Sequence, residues 1–250
     1  MLNNNYPHEV LDDAAAMAER AFEVLTAAAR EAVAARGKFT LALTGGSGPK
    51  GLYQRLAQEP GSVDWANTYV FLGDERFVPY EDKDSNFGMC KKSLLDHVPV
   101  PADNVLPIPT DTGTMEKAAT DYAATLTRVL TPAAGQPPVL DLILLGMGDD
   151  GHCASLFPGK PTLEITDAWT TGSTPGTLPP PVGRVTVTFP VLNAARNVLF
   201  LVPGEGKAKA VRDIFERSPP KEVHPSAAVQ PMDGTLLWLL DKPAASLLTR

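Results

Sequence analysis

The amino-acid sequence predicts an α/β domain, a largely parallel sheet covered by helices. Three observations carry this. Short apolar runs alternate with segments of helical pattern, the arrangement that parallel crossovers require. Several of those runs end in glycine turns that bear polar groups. Finally, 250 residues with 44% apolar content suffice for a sizeable core, and no repeat or long linker divides residues 1–250 into more than a single domain.

In chain order, residues 12 to 36 are rich in Ala, Glu and Arg, with Met17, Phe22, Val24, Leu25 and Val33 interspersed. They read as a long amphipathic helix ended by Gly37. Phe39 to Leu43 is an apolar strand. The turn Thr44-Gly45-Gly46-Ser47-Gly48-Pro49 follows, then a helix from Lys50 to Gln58 whose first turn suits Pro49. Thr68 to Leu72 is a second strand, ending at Gly73-Asp74-Glu75-Arg76. Ser85 caps a helix expected to run to about Asp96, and residues 114 to 130 form another. Leu140 to Leu145 is a buried strand that leads into Gly146-Met147-Gly148-Asp149-Asp150-Gly151-His152. Residues 170 to 183, rich in Pro, Gly and Thr, read as an exposed loop. Strands follow at Arg184 to Phe189 and Val198 to Val202, then a helix from Gly206 to Arg217 and a last strand from Thr235 to Leu240.

Composition narrows the function. A net charge of −7 repels nucleic acid and anionic membranes, so an anionic substrate needs a local cluster of Lys or Arg. The two cysteines, Cys90 and Cys153, form no CxxC pair, so the sequence offers no zinc or redox motif. The start, MLNNNYPHEV, has no basic region followed by an apolar core, and no apolar run approaches the roughly 20 residues of a membrane span. The expected location is the cytoplasm, the expected partner a small molecule, and the expected assembly a monomer or small homo-oligomer.

In open α/β sheets, ligands bind at the carboxyl ends of the strands. Thr44 to Ser47, Asp74 to Arg76 and Asp150 to His152 are therefore expected to converge. Gly45-Gly46-Ser47 lies between a strand and a helix, where backbone N–H groups and the helix dipole attract an anion; the alternative is a tight turn with no ligand. Gly46 to Gly51 matches G-x-G-x-x-G literally, but the acid at the next strand end, Asp74, is too distant for a dinucleotide site. Gly204-Glu205-Gly206-Lys207-Ala208 lacks the Ser or Thr and the earlier Gly of a P-loop. Arg76 can grip a phosphate and Asp74 can accept from sugar hydroxyls, or the two can sit in a solvated turn.

Of four histidines, His8 lies in a polar N-terminal tail, His97 ends a helix, and His224 falls in a Pro-rich loop. Only His152 sits in a glycine-rich turn after a buried strand. Imidazole is suited to take a proton from water, with Asp150 setting its tautomer; the alternative is a histidine that merely bonds within its turn. Cys153 and Ser155, though near His152, read as structural.

Together these segments resemble the 6-phosphogluconolactonase family over nearly the whole chain after the first helix. The resemblance runs through Leu43-Thr44-Gly45-Gly46-Ser47, Phe71 to Pro79, Asp84 to Met89, Leu145 to Gly159, Arg184 to Thr188, Asn193 to Ala195, Gly204 to Ala208 and Gly234 to Asp241. It implies a three-layer α/β fold similar to that of glucosamine-6-phosphate deaminases and ribose-5-phosphate isomerases. It also implies hydrolysis of 6-phospho-D-glucono-1,5-lactone to 6-phosphogluconate in the oxidative pentose phosphate pathway, a reaction that needs neither a metal nor an organic cofactor. His152 is then the general base, supported by Asp150. Arg184 and Lys207, with Ser47 and Arg76, hold the phosphate, and Gly45, Gly46, Asp74 and Asn86 complete the substrate site. Two positions depart from the family pattern, Gly48 and Cys153, each where Thr is usual. The related deaminases carry a Glu five residues after this histidine, and here that residue is Phe157. Three rival readings stand beside this one: a sugar-phosphate deaminase or isomerase, a nicotinamide-dependent oxidoreductase, and a sugar-phosphate sensor without catalysis.

Overall fold

The computed structural model describes residues 6–249, so the first five residues of the expected N-terminal tail lie outside it. Six strands form one sheet in which every neighbouring pair is parallel: β1 (His8–Leu11), β2 (Phe39–Leu43), β3 (Thr68–Leu72), β5 (Leu142–Leu145), β8 (Asn197–Val202) and β9 (Thr235–Asp241). Their spatial order is β1-β9-β8-β5-β2-β3. A small antiparallel sheet, in the order β4-β7-β6, joins β4 (Asp74–Arg76), β7 (Arg184–Val187) and β6 (Thr170–Ser173). The helices are α1 (Ala14–Arg36), α2 (Lys50–Gln58), α3 (Asn86–Ser93), α4 (Met115–Leu130), α5 (Phe189–Ala194) and α6 (Ala208–Arg217). None is long and apolar enough to cross a membrane.

The layering follows from the period of two along a strand. Leu41, Leu43, Leu142, Leu144, Leu199 and Leu201 pack on one face, with Met17 and Leu25 of α1 and Leu52 and Tyr53 of α2. The alternate residues Ala42, Ile143, Leu145, Val198 and Phe200 pack on the other, with Tyr122 and Leu126 of α4 and Val211 and Phe215 of α6. Truncating a fully buried member such as Leu144 to Ala costs about 2–5 kcal/mol. Where the ladder stops, buried tyrosines take over. The Tyr53 hydroxyl accepts from Thr44 N and donates to Thr44 O; Tyr122 does the same at Leu72.

Element ends follow the expected chemistry at several places. Asp13 caps α1 by accepting from Ala16 N at 2.8 Å, and Gly37 ends it in a left-handed conformation. Ser85 caps α3 through Gly88 N at 3.0 Å.

Other expectations need correction. Residues 170–173 are not exposed loop but strand β6, whose Thr170 and Ser173 are buried because their hydroxyls find the carbonyls of Ala119 and Ser155. His8 belongs to edge strand β1, its ring 4.8 Å from that of Phe215, rather than to a free tail. Asp74 to Arg76 form a short strand instead of an open turn. Helix α3 stops at Ser93, before a 3-10 turn at Leu95–His97. Strand β7 stops at Val187, since Phe189-Pro190 opens α5. Strand β5 begins at Leu142 because Asp141 is engaged sideways, accepting from Thr40 N and Oγ and pairing with Arg36.

Candidate active site

The chain leaves β2 toward β3 on one side, and β5 occupies the other. The crevice between the carboxyl ends of β2 and β5 is the switch point of the sheet, where such folds place ligands. A cleft opens there, lined by Gly45, Gly46 and Ser47 after β2, by Asp74 and Arg76 on β4, and by Asn86 at the start of α3. His152, Arg184 and Lys207 line the same cleft. Asp150 stands behind His152.

The turn after β5 is closed by Gly148 N donating to His152 O and Gly151 N donating to Gly148 O, both at 2.9 Å. His152 is half-buried, and its Nδ1 lies 2.6 Å from Asp150 Oδ1, which also accepts from His152 N at 3.1 Å. A carboxylate can only accept, so Nδ1 carries a proton; in the neutral ring this leaves the lone pair on Nε2, the form a base needs. Burial alone would raise the Asp150 carboxyl, but the hydrogen bond and charge of His152 outweigh it and hold the group below its ordinary range. Gly148 must lack a side chain, because a Cβ there would come within 2.1 Å of His152 Nδ1 and 2.6 Å of Asp150 Oδ1. The Phe157 ring packs against the imidazole at 4.7 Å.

Three cations reach the cleft. Arg184 is buried, donating only to the carbonyls of Val182 and Pro180. Arg76 donates to Asp84 O. Among the described residues, neither guanidinium has a carboxylate within ion-pair distance. Burial, with the charge of Arg76 as a lesser repulsion, lowers the proton affinity of Arg184 against the pull of Asp74. Lys207 is paired with Asp149 at 2.5 Å, so an anion reaching Lys207 competes with that carboxylate. The backbone N–H groups from Gly45 to Gly48 donate to no protein acceptor among the described residues, and α2 begins directly after them. At Gly48 a Cβ would meet Leu201 O at 2.8 Å, so this turn leaves no room for a larger residue such as Thr without a shift.

The carboxylates of β4 are largely engaged inward. Asp74 accepts from Ser155 Oγ at 2.6 Å and from Asn86 Nδ2 at 3.3 Å. Ser155 and Cys153 are both fully buried, as structural residues would be. Glu75 accepts from the backbone N–H groups of Arg76, Asn86 and Phe87 and thereby anchors α3; burial raises its carboxyl despite those bonds. Sequence reasoning gave Glu75 no role, although an acid ahead of a helix start was a usable signal. It also passed over His224, which is buried against the back of the turn that carries His152, with Nδ1 3.0 Å from Asp150 O. No local pattern marks that contact, since the partner is 74 residues away. Among the described residues, no three His, Cys, Asp or Glu side chains are grouped to hold a metal ion.

The comparisons with known proteins agree in direction. A family model described as glucosamine-6-phosphate isomerases/6-phosphogluconolactonase matches residues 12–238. A curated 6-phosphogluconolactonase from Synechocystis sp. is 40% identical over 236 residues, covering 94% of this chain and 95% of that protein. One from Nostoc sp. is 39% identical over 242 residues, covering 96% and 98%. Among solved structures, 6-phosphogluconolactonase from Leishmania guyanensis superposes with a TM-score of 0.87 at 30% identity, over 98% of this chain and 99% of its own. A monomeric glucosamine-6-phosphate deaminase reaches a TM-score of 0.81 at 20% identity, over 97% and 100%, and so shares the fold.

Proposed function

Since the chain belongs to the glucosamine-6-phosphate isomerase/6-phosphogluconolactonase family, we propose that it hydrolyses 6-phospho-D-glucono-1,5-lactone to 6-phospho-D-gluconate in the oxidative pentose phosphate pathway, acting in the cytoplasm as a monomer or small homo-oligomer. The observation that carries the reading is the His152–Asp150 pair beside a cleft that also holds two arginines with no carboxylate in ion-pair reach among the described residues.

His152 Nε2 takes a proton from water, and the resulting hydroxide attacks the lactone carbonyl carbon. The carbonyl π electrons move to oxygen, and the free N–H groups of the glycine-rich turns are the donors available to that oxyanion. On collapse, the bond from carbon to the ring oxygen breaks, and the protonated imidazole returns its proton to that oxygen. Asp150 holds the ring and stabilises the imidazolium. Arg184, Lys207, Ser47 and Arg76 grip the phosphate, so binding energy remote from the reacting carbon orients it. A lactone is already an activated ester and needs no further group.

Membership leaves one sister chemistry to separate, the deaminase reaction. Phe157 disfavours it here, since an apolar ring against His152 exchanges no proton. The decisive experiment generates the lactone in place with glucose-6-phosphate dehydrogenase and compares 6-phosphogluconate formation with the spontaneous rate. No acceleration above the spontaneous rate refutes the proposal.

A further inference from the structure

We propose that His224 is a positioning residue for this reaction, holding the peptide group between Asp150 and Gly151 from behind and so fixing the carboxylate that orients His152. The inference rests on the lactonase reading for its kinetic test but on geometry for its structural one.

His224 is 7% exposed and does not line the cleft. Its Nδ1 lies 3.0 Å from the carbonyl oxygen of Asp150. A carbonyl only accepts, so Nδ1 is the donor. Two residues on, Ser226 donates both its backbone N–H at 3.0 Å and its hydroxyl at 2.7 Å to the carbonyl of Gly151. One segment thus grips two consecutive carbonyls of the catalytic turn. Gly151 is shaped for this contact. Its φ is +80°, and a Cβ there would come within 2.2 Å of His224 Nδ1. On the far side, His224 Nε2 is 3.7 Å from Asp213 Oδ2, a carboxylate of α6, so the ring is wedged between that helix and the turn.

The orientation of the carbonyl at residue 150 is coupled to the backbone torsions on either side of it. The Asp150 side chain hangs from the same Cα, and its contact with His152 Nδ1 is short, 2.6 Å. Short charge-assisted hydrogen bonds depend steeply on direction. Removing the donor behind the carbonyl therefore loosens the pair in front, although His224 touches neither substrate nor reacting atoms.

The test uses His224→Ala and His224→Asn, the latter keeping an N–H donor near the Nδ1 position. Steady-state kinetics are read beside the downfield proton NMR resonance of His152 Nδ1–H, assigned by its loss in Asp150→Asn. In His224→Ala, kcat should fall about tenfold or more with KM near wild type, and the resonance should broaden and move upfield. His224→Asn should recover both. A folded Ala variant with wild-type kcat overturns the proposal, and so does a fall in kcat with an unchanged resonance. If His224→Ala does not fold, His224→Phe, which keeps a ring but has no donor, decides: a displaced resonance supports the role, a wild-type one overturns it. A wild-type protein without lactonase activity refutes the functional reading alone, since the resonance can still be compared among the variants.

Discussion

Arg76 and Arg184 are direct partners in the antiparallel register of β4 and β7, so two guanidinium-bearing side chains leave the ladder together at one wall of the cleft. Like charges directly opposite are destabilising unless something lies between them or nearby to answer both. Among the described residues no carboxylate is in ion-pair reach of either, so a bound anion is the proposed answer to both charges. Inorganic phosphate should therefore raise the melting temperature of the wild-type protein, and Arg184→Ala should remove most of that rise. The same substitution, and Lys207→Ala, should weaken use of the phosphorylated lactone far more than of plain gluconolactone. Equal losses on both substrates would assign these residues to folding or chemistry instead.

His152→Ala should lower kcat by about 10² or more while the fold is kept, because a half-buried ring at a cleft wall supports little of the core. His97→Ala, on an exposed ring bonded to the Lys92 carbonyl, should be near neutral. Circular dichroism and turnover measured together check both; a folded His152→Ala protein with most of its activity would remove His152 from the mechanism.

The depressed Asp150 carboxyl sets the sign of one pH effect. Its folded proton affinity is below that of the unfolded chain, so the stability it contributes is present above the ordinary carboxylate value of about 3.9 and is lost as pH falls through the folded value. The stability that wild type holds over Asp150→Asn should consequently shrink as pH falls below about 4. Denaturant unfolding across that range measures it; a difference undiminished at the acid end would show that the pair has been misread.

Phe157 is 2% exposed and packed on the His152 ring. The protein should release no ammonia from glucosamine 6-phosphate above background while it accelerates lactone hydrolysis. Phe157→Glu should not confer deamination. It should destabilise the fold, because it removes a ring that is 2% exposed and packed on His152. Ammonia release by the unmutated protein at a rate rivalling its lactonase activity would reverse the choice between the two chemistries.

Both cysteines are free and fully buried, where a nucleophile would need exposure. Burial pushes the thiols of Cys90 and Cys153 up to about 12, leaving almost no thiolate at neutral pH. A thiol reagent should leave both unlabelled in the native protein and label both once it is unfolded. Rapid native labelling of Cys153 accompanied by loss of activity would reopen the question.

Much of the sheet was legible in the sequence because β2, β3, β5, β8 and β9 are buried on both faces and therefore read as apolar runs. Strand β6 was not, since Thr170, Thr171, Gly172 and Ser173 offer no apolar signal and become a strand only by pairing with β7. Strand β1 was missed for a related reason: a four-residue edge strand with polar His8 and Glu9 needs β9 beside it to exist. Gly45, Gly46, Ser47, Asp74, Arg76 and His152 could be gathered because strand ends in a parallel sheet converge whatever their separation in sequence, whereas Asn86, Arg184 and Lys207, which line the same cleft, came only with the family resemblance. His224 could not, as nothing in a Pro-rich stretch announces which distant carbonyl it will meet.

The pairing of β1 with β9 has a consequence for biosynthesis. Val10 and Leu240 are register partners, yet 229 residues lie between them, so β1 leaves the ribosome long before the strand it needs. Until β9 emerges, β1 has no neighbour and β8 presents an unfilled edge, because β9 is the slat that lies between them. Pairings of such long range close slowly and expose strand edges in the interim. A nascent chain halted before Thr235 would leave both β1 and β8 without the neighbour they share, so this side of the sheet is expected to close only after the last strand has emerged.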